Sequence, residues 1–99
     1  MTTTTVSWRD VIKKEARGNN DYDLGEVQEV GTYYVHTQRG IAEKTQFYIP
    51  KKLFRNYDGR TVRFDVDEAN AKQFLGNRFP SDAEYRAKYE TPVQEKPIM

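Results

Sequence analysis

Apolar and polar residues alternate through residues 24–66, and turn residues interrupt the alternation at Gly31, Arg39-Gly40, Pro50 and Asp58-Gly59. A period of two sends successive side chains to opposite faces, so this stretch predicts a small, strongly curved antiparallel β unit. Strands are expected at 24–30, 33–38, 45–49 and 61–66, with a short first strand at 13–17. In the last of them Val62, Phe64 and Val66 point inward, and Arg63 and Asp65 outward. A two-residue turn at Gly31-Thr32 joins the second and third strands. Counting back from it sends Val27 and Val30 to opposite faces. A bulge near Gln28-Glu29 returns Val27 to the inner face, because an extra residue on one strand shifts the alternation by one. Tyr33, Val35 and Thr37 are then expected inside, and Tyr34 and His36 outside.

The flanks follow helical signals. Ser7 and Asp10 are spaced like an N-terminal box, predicting one turn that drops Trp8 and Val11 or Ile12 onto the core. Residues 18–23 (GNNDYD) form a turn, since Asn and Asp tolerate left-handed backbone. The calcium-loop spacing and its closing bidentate glutamate are missing there, so no metal is expected. Pro50 ends its strand, and Lys51 to Phe54 makes a short helical turn over one barrel mouth. Asp67 caps a helix running to Leu75 and closed by Gly76, with Ala71, Phe74 and Leu75 as its apolar stripe. Ser81-Asp82-Ala83-Glu84 is a capping box for a second helix to Tyr89, in which Glu84 and Lys88 form a favourable pair worth about 0.2–0.5 kcal/mol. The chain therefore divides into a disordered lead-in (1–5), a β domain (6–76), a helical extension (77–90) and a disordered tail (91–99).

Composition narrows the picture. Only 36% of the 99 residues are hydrophobic, with seven Tyr, five Phe and one Trp, and the mean hydropathy is −0.94. Aromatic rings must supply much of a small core, each burying roughly 150–250 Å². The absence of cysteine excludes disulfides and thiolate chemistry. No secretory leader pattern opens the chain and no apolar run reaches the roughly 20 residues of a membrane helix, so a cytoplasmic protein without membrane insertion is expected.

No constellation of residues points to a reaction. His36 is the only histidine and is expected exposed on a strand, with no identifiable partner for general-base work. The carboxylates Glu26, Glu29, Asp65, Asp67 and Glu68 read as solvation and capping. Glycines are too far apart for a phosphate loop. Neither a catalytic residue nor a cofactor or metal site is expected.

Charge distribution says more than net charge, which is +1. Residues 39–63 carry seven basic groups against two acidic ones, and the flanking segments are each net negative by two. Lys51, Lys52, Arg55, Arg60 and Arg63, interleaved with aromatic rings, are the candidate contacts if the partner is RNA. Strand alternation disperses consecutive residues over two faces, which weakens that reading. Tyr34, Tyr48 and Tyr57 are candidate exposed contacts for a protein partner, tyrosine being apolar with one wet end. Tyr85 and Tyr89 share one helix face. They either fold back onto the sheet or are covered by a second copy, which would make a homodimer.

Leu24-Gly25-Glu26-Val27, the hairpin, Phe47-Tyr48-Ile49-Pro50, and Asp58-Gly59 leading into a strand together resemble the PRC-barrel family. Trp8-Arg9-Asp10-Val11-Ile12 is most similar to archaeal stand-alone members. The likeness covers residues 7–72. It implies a small antiparallel PRC-type β-barrel, here with a short helical C-terminal extension. It also implies a non-enzymatic adaptor that docks onto other proteins, including the septum machinery of archaeal cell division. The alternative it implies is an RNA- or ribosome-associated module. No shared catalytic motif comes with the family.

Overall fold

The computed structural model describes residues 6–89; the lead-in and the tail, expected to be disordered, lie outside the described residues. Six strands form one mixed sheet: β1 (Glu15–Arg17), β2 (Asp23–Val30), β3 (Tyr34–Arg39), β4 (Thr45–Pro50), β5 (Phe54–Tyr57) and β6 (Thr61–Phe64), in the order β4-β3-β2-β1-β6-β5. A C-terminal helix, α1 (Asp82–Tyr89), follows.

Chain connectivity forces the sheet to curl. β4 and β5 are its two opposite edges, yet only the 3-10 turn Lys51–Leu53 separates them. The four Cα steps from Pro50 to Phe54 reach at most about 15 Å. Five interstrand spacings of a flat sheet would span about 24 Å. The edges approach but share no ladder, so the sheet is open and curled, and the expected barrel is not formed as a closed ring of strands. It is not purely antiparallel either. β1 and β6 pair in parallel, with Glu15 opposite Thr61 and Arg17 opposite Arg63. Neither the parallel pairing nor β5, whose sequence FRNY shows no clean alternation, is legible locally.

The hairpin obeys its bulge but not its turn. Val27 faces Thr37 and Glu29 faces His36, so Gln28 is the extra residue. Val30 pairs with Val35, and the Gly31 N–H donates to the Tyr34 carbonyl at 2.8 Å. The turn residues are therefore Thr32-Tyr33, one later than expected. Packing favours glycine at Gly31: a Cβ there would stand 3.1 Å from the Phe79 ring, which would have to give by a few tenths of an ångström. Tyr33 consequently sits at the turn and leaves the inner face.

The inner face holds the aliphatic core. Leu24, Val27, Val35, Phe47, Ile49, Val62, Phe64 and Val66 are all buried, closed by Val11 from the Trp8–Val11 turn and by Ala71 and Phe74. Thr37 is buried among them, and its hydroxyl has no hydrogen-bond partner among the described residues.

The helical signals are met in part. Ser7 supplies its carbonyl, not its side chain, to the Asp10 N–H, so the expected box is a main-chain turn. Residues Glu68–Phe74 wind as 3-10 turns started by a reciprocal Asp67–Asn70 box. Leu75 then forms a bridge with Phe47, and the Gly76 N–H donates to the Gln46 carbonyl at 3.2 Å, so the chain covers the outer edge of β4. Leu75 itself remains half exposed. At α1 the Ser81–Glu84 box forms in both directions, at 2.7 and 3.1 Å. Those bonds, with Arg78, hold the Glu84 carboxyl below its usual range. Glu84 pairs with Arg78, and Lys88 lies over Tyr89 instead of completing the expected pair. Among the described residues no helix is long and apolar enough to cross a membrane.

Candidate interaction surface

The outer face of β3 and β4 carries a second apolar cluster, made of rings. Tyr34, Tyr48 and Tyr85 are its buried members, with Tyr33, Phe79 and Tyr89 packed around them. Alternation places Tyr34 and His36 of β3, and Tyr48 of β4, outward, as expected; α1 and Phe79 then cover them. Tyr33 stacks on Tyr85 with centroids 4.3 Å apart, and Tyr34 meets the same ring edge-on at 5.6 Å. Phe79 stands edge-on to Tyr48 at 5.2 Å and to His36 at 6.1 Å. Burial, first, pushes the Tyr34 hydroxyl up to about 12, and neighbouring Tyr89, Tyr85 and Glu84 add to it. Tyr48 is raised in the same way, by burial and then by Glu29.

This corrects the expected exposure of Tyr34 and Tyr48, while Tyr85 and Tyr89 fold back onto the sheet, one of the two outcomes open to them. Tyr34, Tyr48 and Tyr85 expose only 7%, 6% and 8% of their surface, spent on holding α1 to the sheet. Tyr89 is half-buried beside them, with the Lys52 ammonium 5.0 Å from its ring. Tyr57 lies elsewhere, half-buried on β5, its hydroxyl 3.1 Å from the Gly59 carbonyl and 3.3 Å from that of Asp10. His36 is not exposed either. It stacks on Tyr48 at 4.5 Å and lies 2.6 Å through Nε2 from Gln46 Oε1, while Nδ1 faces Glu29 at 3.9 Å. These contacts fix the ring, and Nδ1 is buried without a hydrogen-bond partner among the described residues.

The basic residues divide among several neighbourhoods. Arg39 lies over the Tyr22 and Phe47 rings, away from the β4–β5 corner. Arg63 pairs with Asp21 at 2.5 Å, which lowers the Asp21 carboxyl. Arg55 donates to Asn19 Oδ1 at 2.8 Å, and with Arg63 it lines a cleft of about 190 Å³. Lys51 sits 5.1 Å from the centre of the Trp8 ring, where burial lowers its pKa, and Lys52 adjoins it on the same turn. Arg60 is exposed in a turn whose amides at Arg60 and Thr61 bind Asp58 Oδ1, lowering that carboxyl. Residues 39–63 are thus not one surface, but Lys51, Lys52, Arg55 and Arg60 gather along the path into and out of β5. None of these four meets a carboxylate at salt-bridge distance among the described residues.

β5 was invisible to sequence reasoning, and it is the exposed edge. Asp58 N–H donates to the Thr61 carbonyl, so the next pair outward, Tyr57 with Val62, is a non-bonded one. The Tyr57 N–H and C=O therefore point away from β6. No backbone group of the described residues meets them. Beside this edge Trp8 packs edge-on against Phe54 at 5.3 Å, and Trp8, Phe54 and Tyr57 are all only half-buried. Among the described residues no cluster of three His, Cys, Asp or Glu could hold a metal. No protein-family model matches the chain, and no curated protein matches it.

Proposed function

We propose that the chain is a protein-interaction module, an adaptor built on a PRC-type curled sheet and working by docking. The observation that carries this is the bare β5 edge. It combines unpaired backbone groups with the half-buried rings of Trp8, Phe54 and Tyr57. Aromatic residues at a partly desolvated edge are the composition that protein interfaces favour. The resemblance to PRC-barrels adds the expectation of a cytoplasmic partner, with archaeal cell division as the process to examine first. Recovering the tagged full chain from a native lysate, with and without nuclease, tests this reading. Defined protein partners that survive nuclease support it; partners that vanish with nuclease contradict it.

A second reading, an RNA- or ribosome-associated module, is favoured by the cations Lys51, Lys52, Arg55 and Arg60 along the chain into and out of β5, none of which meets a carboxylate among the described residues. Its mark would be affinity that falls steeply with salt, since each phosphate neutralised releases counterions.

A further inference from the structure

We infer that the β5 edge accepts an extended, acidic segment of a partner protein as an added strand; the inference rests on the adaptor reading above. The curled sheet has two edges, and the chain treats them differently. The β4 edge is occupied by Leu75 and Gly76. Among the described residues nothing pairs with the β5 edge: Arg55 and Asn56 are exposed, and Tyr57 directs its N–H and C=O outward. An edge strand with open backbone groups is a template for another strand.

The chemistry of the occupant follows from what surrounds those groups. From residue 51 to residue 60 there are four cations and one carboxylate, Asp58, whose Oδ1 is already taken by two amides of its own turn. A partner strand with carboxylates would complement that balance. Trp8, Phe54 and Tyr57 offer half-buried rings, so an apolar residue beside the carboxylates gains contact area. The register shift between Phe54 and Asn56 interrupts the ladder, which leaves a short docking rung at Tyr57. That bulge opposes indiscriminate edge-to-edge pairing. Specificity must then come from the charges and the rings. The phosphates of an RNA strand could meet the cations and accept from the Tyr57 amide, but an extended peptide offers an acceptor and a donor at strand spacing to the outward N–H and C=O together, so it is the better fit.

The test is a selection of displayed random peptides on the full chain, followed by binding of the best synthetic peptide to the labelled protein. The expected peptides are rich in Asp and Glu with an apolar residue among them, and their binding slows hydrogen exchange at the Tyr57 amide. Lys52→Glu with Arg55→Glu should weaken that peptide at least about tenfold. The neutral pair Lys52→Gln and Arg55→Gln should weaken it less. Lys72→Glu, outside this edge, should leave it unchanged, and circular dichroism checks that each variant folds. Enrichment of no peptide, of peptides without acidic residues, or of peptides that protect amides elsewhere would overturn the inference. Partner proteins captured through nuclease treatment and retained by the Glu pair would also overturn it while leaving the adaptor reading intact. Displacement of the peptide by a single-stranded oligouridylate of tighter affinity would overturn both.

Discussion

The two edges of the curled sheet differ in what the chain has invested in them. On the β4 side, Leu75 and Gly76 occupy the edge, and Phe79, Tyr85 and Tyr89 cover the outer face, so rings that began as surface residues of a strand end as a second core. On the β5 side none of the described residues is laid over the edge, and the adjacent rings are left half-buried beside cations that meet no carboxylate among the described residues. A sheet edge needs either cover or a partner, because its backbone groups remain strong donors and acceptors. The contrast teaches that aromatic content does not mark the docking surface here. The most aromatic face is the one already spent.

Substitutions should therefore be costly on the β4 side and nearly silent in stability on the β5 side. Phe47→Ala empties a residue that is 1% exposed and bridges to Leu75; it should destabilise by about 3–5 kcal/mol, read by chemical denaturation. Phe79→Ala removes the edge contacts to Tyr48 and His36 from a half-buried ring, so the loss should be smaller, about 2 kcal/mol. Its near-ultraviolet circular dichroism should show the tyrosines loosening while the β signal persists.

Alkali should attack the same side. Tyr34 has its hydroxyl raised from 10.0 to about 12 in the folded chain. A raised value means the neutral form is favoured by folding, so this contribution is complete below pH 10 and is lost as pH rises towards 12. A tyrosinate titration should find Tyr34 ionising late, together with release of α1. Replacing Tyr34 with Phe should remove that late step.

Thr37→Val should raise stability by about 1 kcal/mol, because it removes a buried hydroxyl without a partner and keeps its shape. On the β5 side, Arg55→Gln should move stability by no more than about 0.5 kcal/mol, since its side chain is exposed and, among the described residues, makes a single polar contact. A loss as large as that of Phe79→Ala would erase the contrast between the edges.

How much of this was legible in the sequence depends on how local each signal is. Val62-Arg63-Phe64 alternates cleanly, and its inward residues are where period two puts them. The Gln28 bulge could be inferred because Val27 would otherwise face water. The turn was misplaced by one residue because Gly31 reads as a turn glycine, whereas it is small to admit Phe79 from nearly fifty residues away. The expected antiparallel barrel gave way to an open mixed sheet for a similar reason. The β1–β6 pairing joins three-residue registers distant in sequence, and nothing in either strand announces it. Tyr34 and Tyr48 were placed on the right face, but their burial under α1 and Phe79 is a tertiary fact. The bare edge at Tyr57 could not be read at all without β5.

Residue-by-residue amide hydrogen exchange on the free full chain tests the central contrast most directly. The outward amide of Tyr57 should exchange freely, while Gly76, bonded to Gln46, and Gly31, bonded to Tyr34, should be protected. Protection at Tyr57 equal to that at Gly76 would mean the β5 edge is already covered, and would contradict the account.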